Sequence, residues 1–324
     1  MNDGTLELHD LRLGLREMAQ DVLHGLRQPQ KWISPMYLYD TRGSQLFDQI
    51  CALPEYYPTR TETGILHDNA GDISQAMGPD LMLVEPGSGS GEKARLLLDV
   101  LESPAAFVPV EISHDHLMLS AHALNEAFPD LEVLPVCADF SRPFELPVPH
   151  HPVQRTAMFF PGSTIGNFER GDAVDLLKNF CGVVGDGGEL LIGVDLRKDP
   201  DILVRAYDDA EGVTAAFNLN VLHRLNEELG ADFDLDTFQH RAVWNDSESR
   251  IEMHLVSTRD QSVTVSGQRV DFTQNEYIHT ESSHKFSLES FEELAGEAGF
   301  VVDRVWTDTG TLFSVQLLRC SGGT

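Results

Sequence analysis

Residues 81–101, LMLVEPGSGSGEKARLLLDVL, decide the fold of this chain. An apolar run ends at Glu85, glycines follow at positions 87, 89 and 91, and an amphipathic helical pattern starts directly after them. Glycine is needed where a chain turns sharply and where a ligand approaches backbone amides at the start of a helix. The stretch therefore predicts a strand, a ligand-binding loop and a helix in an open α/β sheet.

The spacing of the glycines indicates which ligand the loop binds. A dinucleotide loop, G-x-G-x-x-G, would require glycine at position 92, where this chain has Glu92, a charge that would face a pyrophosphate. The pattern E-x-G-x-G-x-G resembles instead the first motif of class I S-adenosylmethionine-dependent methyltransferases, whose ligand carries a sulfonium cation and no phosphate. A tight turn that binds nothing is the alternative interpretation.

The alternation of strand and helix patterns continues beyond this stretch. Short apolar runs separated by helical patterns are typical of parallel βαβ units in a doubly wound α/β sheet. The runs are LMLVEP, FVPVEI, LEVLPVCA, TAMFFPG and ELLIGVDL. Near the end of the chain, the helical pattern LESFEELAGEAG precedes two strand patterns around Asp308-Thr309-Gly310, which predict an antiparallel edge strand.

Other segments have a different pattern of hydrophobic residues. Apolar residues at helical spacing predict an amphipathic helix from Leu8 to Leu26. Residues 201–229 are helical in pattern, and the run RIEMHLVST predicts a strand in which Ile251, Met253 and Leu255 share one face. We therefore expect a second, α+β architecture in addition to the doubly wound sheet.

The composition is strongly acidic. The 324 residues include 52 Asp and Glu against 23 Lys and Arg, a formal charge of −29, with 41% hydrophobic residues. Because the acids are spread along an apolar-rich chain, they indicate a solvated surface rather than a disordered tail. This charge repels phosphate backbones and excludes nucleic acid as a partner. We see no signal-peptide pattern and no membrane-spanning run, and expect a cytoplasmic monomer without a membrane partner.

Cysteines and histidines offer no metal-ligand spacing. The four cysteines, without a CxxC pair, are Cys51, Cys137, Cys181 and Cys320. Their spacing favours buried, reduced thiols over disulfides or zinc ligands. The histidines that fall close together are His114, His116, His150 and His151. We interpret them as solvated loop residues and expect no metal.

Acidic residues follow further strands of the predicted sheet. Glu111 ends the second strand, where a carboxylate can accept hydrogen bonds from the hydroxyls of a ribose. Asp139-Phe140 follows the third strand, where a hydrogen-bond acceptor and an aromatic face suit adenine. Either residue alone could be an ordinary surface group. After the fourth strand, FFPGSTIGNF offers Gly162 and Asn167 beside the same edge of the sheet for an acceptor substrate. Asn167 could equally cap the next helix.

Several blocks together resemble one family, the bacterial histidine N-alpha-methyltransferases of ergothioneine biosynthesis. The blocks are YDTRGSQLFDQI, LPEYYPTRTE, the glycine loop, GSTIGN, RAYDDAEGVTAAFNLNVL, ADFD, RIEMHL and TESSHKF. The resemblance covers the chain from about residue 30 to the end. The chain departs from the family pattern at Glu111, where relatives have Asp, and at Pro86, where they have Leu.

The resemblance implies a Rossmann-like methyltransferase domain, 57–196 plus 286–324, and an α+β substrate-binding domain, 1–56 plus 197–285. It implies that S-adenosylmethionine is bound by Gly87, Lys93, Glu111, Asp139 and Phe140. It implies that the amino acid is bound by Tyr56, Asn167, Tyr207, Met253, Glu281, Ser282 and Ser283. Tyr39 and Gly162 are the candidates for orienting the reactive amine, which makes them the catalytic residues.

The implied residues suit histidine chemically. Asn167 and Tyr207 can donate to a carboxylate, while Glu281 can accept from one imidazole nitrogen and Ser283 can donate to the other. The sequence therefore predicts an enzyme that trimethylates the α-amine of L-histidine to hercynine. One alternative is an N-methyltransferase for another amino acid such as tryptophan, which Glu281 and Met253 disfavour. Another is a cofactor-binding module without turnover.

Overall fold

The computed structural model describes residues 9–10, 15–89, 91–142 and 144–321. Its α-helices in these ranges are α1 (Leu15–Leu26), α2 (Thr41–Ala52), α3 (Tyr57–Asp68), α4 (Ala70–Met77), α5 (Glu92–Leu98), α6 (His114–Ala127), α7 (Arg170–Val184), α8 (Pro200–Tyr207), α9 (Val213–Leu229) and α10 (Leu288–Glu297). The strands are β1 (His9–Asp10), β2 (Lys31–Trp32), β3 (Leu81–Pro86), β4 (Ala106–Glu111), β5 (Glu132–Val133), β6 (Val136–Cys137), β7 (Arg155–Phe160), β8 (Glu189–Asp195), β9 (Phe238–Asn245), β10 (Arg250–Ser257), β11 (Gln261–Val265), β12 (Gln268–Phe272), β13 (Tyr277–His284), β14 (Phe300–Thr307) and β15 (Phe313–Cys320).

The chain divides into two compact units. Unit 1 consists of Met1–Arg12, Pro58–Arg197 and Phe286–Thr324, and unit 2 consists of Leu13–Tyr57 and Lys198–Lys285. Each unit is therefore assembled from segments that are far apart in the sequence.

Unit 1 is built on a mostly parallel sheet. Within the described residues its strand order is β1-β6-β4-β3-β7-β8-β15-β14, with β5 beside β4. The strands from β4 to β8 in this order pair in parallel, whereas β15 is antiparallel to both β8 and β14. This arrangement confirms the predicted α/β sheet with an antiparallel edge. The chain leaves β3 toward β4 on one side and later reaches β7 on the other, and ligands bind beyond the carboxyl ends of strands at such a switch point.

Helices cover both faces of this sheet. One hydrophobic cluster contains Phe160 with Phe180 of α7 and Phe291 of α10, and a second contains Leu66 of α3 with Phe107 and Phe313. Strands buried on both faces are apolar along their whole length, which is why β3 reads as the continuous run LMLVEP. The layered packing fixes the strand ends that carry the glycine loop.

The predicted helix from Leu8 to Leu26 is wrong in its first part. The helix α1 begins at Leu15, and His9–Asp10 form a strand that pairs in parallel with Val136–Cys137. A strand of two residues leaves no periodicity in the sequence, so the helical spacing that continues from Leu11 masked it. Residues 11–14 lie outside the described residues.

Unit 2 has a small mixed sheet with helices. The strand order is β2-β13-β10-β9, with β2 parallel to β13 and the other pairs antiparallel, and β11 and β12 form a separate hairpin. The helical pattern at 201–229 forms two helices rather than one. The break occurs because Gly212 has φ +75° and the Asp209 carboxylate accepts from the amides of Val213 and Thr214, at 2.9 and 2.7 Å, which starts α9.

The prediction of reduced thiols is wrong for two cysteines. Cys181 of α7 and Cys320 at the end of β15 form a disulfide with their Cα atoms 5.4 Å apart. The two are 139 residues apart in sequence, and only the folding of β15 beside β8 and α7 brings them together, so spacing along the chain could not reveal the pair. Cys51 and Cys137 are free cysteines.

No helix in the described ranges is both long enough and apolar enough to cross a bilayer.

Candidate active site

The glycine loop adopts backbone conformations that favour glycine. Gly87, Gly89 and Gly91 have φ values of +70°, +52° and +72°, the left-handed region that side chains with a Cβ avoid. The Gly87 amide donates to the carbonyl of Val110 at 2.7 Å, which ties the loop to the neighbouring strand β4. A Cβ added at Gly87 would lie 3.3 Å from Cε1 of Phe140. The predicted cofactor residues Gly87 and Phe140 are thus in one place.

Glu111 is held at the end of β4 by backbone amides. Its carboxylate accepts from Ile112 N at 2.8 Å, from Gly89 N at 3.2 Å and from Ser113 N at 3.3 Å. Because one of these donors belongs to the glycine loop, the carboxylate fixes the distance between the two strand ends. The longer side chain of glutamate reaches this loop, and its role toward a ribose stays a prediction.

Asp139 and Phe140 follow β6 and face different neighbours. One Asp139 oxygen accepts from the Ser141 amide at 3.0 Å and from its hydroxyl at 2.6 Å, and the other lies 3.3 Å from Arg142 Nε. The Phe140 ring packs edge-on against Phe160, with centroids 5.5 Å apart. Phe140 is thus anchored in the core beside Gly87, as a stacking platform requires.

A buried carboxylate links Lys93 to the loop after β7. Glu62 of α3 is fully buried. Its carboxylate accepts hydrogen bonds from Lys93 Nζ at 2.5 Å and from the amide of Gly162 at 2.9 Å. Gly162 has φ +78°. A Cβ at Gly193 in β8 would collide with the Glu62 carboxylate, which explains a glycine inside that strand. Glu62 was not predicted as a functional residue, although it ends the block LPEYYPTRTE.

Two polar side chains beside the glycine loop are buried with unsatisfied atoms. Oε2 of Glu85 and Oγ of Ser88 have no hydrogen-bond partner among the described residues. Burial raises the pKa of the Glu85 carboxyl well above its usual range, against the opposing effect of Lys93. Unsatisfied polar atoms in such a place are costly unless a ligand supplies partners. A polar ligand that carries positive charge fits this lining.

Asn167 does not cap the next helix. It is the last residue of a 3₁₀ turn, Thr164–Asn167, and the N-cap of α7 is Glu169. Asn167 is half-buried, and its role in binding the amino acid stays a prediction.

A second set of predicted residues meets in unit 2, around Glu281. Glu281 of β13 pairs directly with Met253 of β10, and both are buried. Oε2 of Glu281 has no hydrogen-bond partner among the described residues. Burial raises the pKa of Glu281 to about 7, although the nearby Lys285 acts to lower it. A buried carboxyl with an unsatisfied oxygen is stabilised when a ligand donates a hydrogen bond to it.

Tyrosines form the rest of this lining. Tyr56 packs edge-on against Tyr207, with ring centroids 6.0 Å apart, and burial raises the pKa of Tyr56 well above its usual range. The Tyr207 hydroxyl lies 2.8 Å from Oγ of Ser283. Tyr39 stacks edge-on against Phe217 of α9, with centroids 5.4 Å apart. Three tyrosines and one carboxyl thus line this part of unit 2.

Ser282 is not on the same face as its neighbours. Side chains alternate along a strand, so Glu281 and Ser283 share one face and Ser282 points to the other, where its Oγ lies 3.0 Å from Nε2 of His279. Only the backbone of Ser282 is close to the Glu281 lining. The role of Ser282 in binding the amino acid stays a prediction.

Lys285 is a second buried charged residue that was not predicted as functional. Its Nζ is buried and donates to the hydroxyls of Tyr207 and Ser283. The signal that could have revealed it is the spacing of two residues from Ser283 inside the block TESSHKF. No cluster of His, Cys, Asp or Glu among the described residues could hold a metal ion.

Comparisons with known proteins agree on one family. A family model described as "Histidine-specific methyltransferase, SAM-dependent" matches residues 18–320. The chain is 44% identical over 305 residues to a histidine N-alpha-methyltransferase of Mycolicibacterium smegmatis, covering 93% of this chain and 94% of that protein. It is 31% identical to ergothioneine biosynthesis protein 1 of Neurospora crassa, covering 88% of this chain and 33% of that longer protein. The solved structure of the mitomycin 7-O-methyltransferase MmcR matches with a TM-score of 0.50 at 14% identity, covering 95% and 69% of the two chains, which shows a shared fold.

Proposed function

We infer the reaction from the family, because this chain belongs to the histidine-specific, S-adenosylmethionine-dependent methyltransferases. We propose that it methylates the α-amino nitrogen of L-histidine three times and releases hercynine, as a step of ergothioneine biosynthesis. The observation that carries the choice of histidine is the buried Glu281 carboxyl, which lacks a hydrogen-bond donor among the described residues. Relatives named for histidine methylation and for ergothioneine biosynthesis support this proposal.

In this proposal, unit 1 holds the methyl donor. When bound, S-adenosylmethionine supplies an electrophilic methyl group on a sulfonium sulfur. Gly87 lets the ligand approach backbone amides, Phe140 offers a ring for the adenine, and Glu111 and Asp139 offer carboxylate oxygens to the ribose and adenine. Lys93 donates a hydrogen bond to the carboxylate of S-adenosylmethionine. The unsatisfied oxygen of Glu85 fits the positive charge of the same ligand.

Unit 2 recognises the side chain of the acceptor. Glu281 accepts from one imidazole N–H, and Ser283 donates to the other ring nitrogen. Tyr56 and Met253 limit the space around the ring. The Tyr207 hydroxyl lies 2.8 Å from Oγ of Ser283 and supports that serine. An amino acid without a ring N–H would leave Glu281 buried and unpaired, at a cost on the order of a few kcal/mol, which explains selection for histidine. In unit 1, the Asn167 amide donates to the carboxylate of the amino acid.

Methyl transfer to an amine requires a neutral nitrogen whose lone pair is aimed at the methyl carbon. Positioning therefore dominates, and an aligned geometry can supply roughly 7–11 kcal/mol. Tyr39 and the carbonyl of Gly162 orient the amine in this proposal. No single general base is required, because a solvent-connected amine near pH 8 can lose its proton to water or through a tyrosine. Loss of turnover in Tyr39→Phe with unchanged histidine affinity would contradict this point.

The experiment that tests the proposal is a panel of amino acids. The protein is incubated with S-adenosylmethionine and each common amino acid, and methylated products are identified by mass spectrometry. We expect trimethylhistidine, preceded by the mono- and dimethyl forms. A product from tryptophan alone would move the acceptor to another amino acid, and donor binding without any product would reduce the protein to a binding module. A Glu281→Ala variant serves as control and should lose activity on histidine while it retains affinity for the donor.

A further inference from the structure

A buried lysine ends the strand that recognises the acceptor. Lys285 follows β13, and the residue is 3% exposed. Its Nζ lies 2.7 Å from Oγ of Ser283 and 3.0 Å from the Tyr207 hydroxyl, and 4.9 Å from the centroid of the Tyr207 ring. The backbone of Lys285 is fixed as well, because its amide donates to the carbonyl of Ser249 at 2.7 Å and its carbonyl accepts from the Ser249 hydroxyl at 2.9 Å. The position of the ammonium is therefore fixed by the two hydroxyls at its Nζ and by the hydrogen bonds of its backbone.

The lysine determines the direction of the hydrogen bonds around it. An ammonium group has donors and no acceptor, so the oxygens of Ser283 and Tyr207 both accept from Lys285. The two hydroxyls also bond to each other at 2.8 Å. A phenol is the stronger donor, and it becomes stronger still when its oxygen already accepts from a cation, so Tyr207 donates to Ser283. Both lone pairs of Ser283 Oγ are then used, and the hydroxyl can only donate to a ligand.

The same lysine places positive charge beside the carboxyl that accepts from the ring. Glu281 and Ser283 are two residues apart and share one face of β13. Lys285 follows two residues later, and its side chain lies on the same side, because its Nζ contacts Oγ of Ser283. The charge of Lys285 opposes the effect of burial on Glu281 and favours its ionised form. An acceptor and an obligate donor two residues apart match the N–H and the bare nitrogen of a neutral imidazole.

We propose that Lys285 is a positioning residue that determines specificity for the neutral imidazole, because it makes Ser283 a donor and Glu281 an acceptor. This inference rests on the proposed function, in which Ser283 and Glu281 receive the ring of histidine. Lys285 touches neither the ring nor the amine and acts through Ser283 and Tyr207. Its loss should therefore weaken recognition of the ring and leave the methyl-transfer step nearly unchanged.

The test compares Lys285→Met with Lys198→Met. Lys198 is a matched control, because it also belongs to unit 2 and donates to a tyrosine hydroxyl, that of Tyr57, at 2.6 Å. For Lys285→Met we expect KM for histidine to rise at least about tenfold, the usual cost of a lost charge-assisted bond, with kcat within about threefold of wild type. The affinity for S-adenosylmethionine should not change. In Lys198→Met, KM for histidine should stay within about twofold of wild type.

Selectivity and coupling separate this role from simple support of the fold. Histidine should lose its advantage over thienylalanine, an analogue with a ring of similar size and no ring nitrogen, in Lys285→Met only. In a Ser283→Ala background, Lys285→Met should raise KM little further, because both act through one hydroxyl. If Lys285→Met does not fold, Lys285→Gln, which keeps an N–H donor without the charge, should show a smaller rise in KM for histidine and a correspondingly smaller loss of selectivity over thienylalanine.

The outcomes distinguish this inference from the proposed function. Wild-type protein that makes no trimethylhistidine overturns the proposed function, and the inference falls with it. Active wild type together with unchanged KM and unchanged selectivity in Lys285→Met, or in Lys285→Gln where that variant replaces it, overturns the inference alone. Full additivity of Lys285→Met and Ser283→Ala would also overturn it, because the lysine would then act by another route.

Discussion

Both carboxylate oxygens of Glu62 lie 2.9 Å from the amide nitrogen of Gly162, and one of them also accepts from Lys93 Nζ at 2.5 Å. The buried carboxylate thus holds the lysine after the glycine loop and the backbone after β7 at a fixed separation. Removing one partner of a buried ion pair leaves the other charge uncompensated, at about 3 kcal/mol or more. We expect Glu62→Ala to lower the free energy of unfolding by roughly that amount, measured with urea.

A second substitution at Glu62 should weaken binding of S-adenosylmethionine. Glu62→Gln keeps the shape of the side chain but not its charge, so Lys93 loses its fixed position, and we expect the dissociation constant for S-adenosylmethionine to rise about tenfold in calorimetry. Glu92→Gln, at an exposed position next to Lys93, is the control and should bind the donor like wild type. Equal affinities of Glu62→Gln and wild type would contradict a role for this pair in donor binding.

Glu281 should make the ligand-free protein less stable as the pH rises. Its folded pKa of about 7 lies above the ordinary value of 4.5, so between these values the folded state binds more protons than the unfolded state. The contribution of Glu281 to stability is therefore fully present below about pH 4.5 and is lost as the pH rises to about 7. At pH 8 we expect Glu281→Gln to be more stable than wild type by about 3 kcal/mol, a difference that vanishes near pH 4.5.

Urea unfolding at a series of pH values measures this difference. Glu248→Gln, at an exposed position in the same unit, is the control and should show no such trend. A stability gain that is the same at pH 4.5 and pH 8 would show that the cost of Glu281 is not one of ionisation. The gain in stability should accompany loss of activity on histidine, since in the proposed function Glu281 binds the ring of the substrate.

Gly87→Ala should affect both stability and donor binding. Alanine at φ +70° costs roughly 1–2 kcal/mol, and the new methyl group would press on Phe140 at 3.3 Å. We expect the dissociation constant for S-adenosylmethionine to rise about tenfold because the Phe140 ring is displaced. Gly267→Ala provides the comparison, because Gly267 has φ +74° and open space around it. That variant should lose similar stability and keep wild-type affinity for the donor.

The disulfide between Cys181 and Cys320 can be counted chemically. Protein purified without reductant and denatured should expose two reactive thiols, those of Cys51 and Cys137, and four after reduction. Alkylation followed by mass spectrometry gives both numbers. Reduction should also lower the free energy of unfolding by about 2–5 kcal/mol, because the bond closes a long loop. Four reactive thiols before reduction would show that the bond does not form in the purified protein.

The parts of the fold that follow from local patterns could be predicted from the sequence. The run before Glu85 and the glycines at 87, 89 and 91 carry their own signal, since a buried strand is continuously apolar and a left-handed turn requires glycine. The strand His9–Asp10 could not be predicted, because two residues show no periodicity and their pairing with Val136–Cys137 depends on the finished sheet. The Cys181 to Cys320 bond is hidden for the same reason.

The candidate site divides in a similar way. Glu111 and Asp139 could be proposed as candidates because carboxylates at strand ends are unusual in an otherwise apolar alternation. Glu62 and Lys285 were missed because in an acidic chain one more charged residue looks like surface, and only the packing shows that both are buried. Their function depends on neighbours such as Gly162 and Ser283, whose proximity no spacing along the chain reveals.

The pairing of β2 with β13 has a consequence for biosynthesis. Lys31 and Trp32 form a strand that must wait for Ile278 and His279 before it can hydrogen-bond to them. At the usual rate of translation this delay is on the order of tens of seconds. During this time β2, the first strand of unit 2, has been synthesised but has no partner strand. The amino-terminal segment of unit 2 cannot complete its sheet on the ribosome until most of the chain has been made, so a premature stop codon anywhere before residue 277 removes Glu281 and Ser283 together with the strand that completes this sheet.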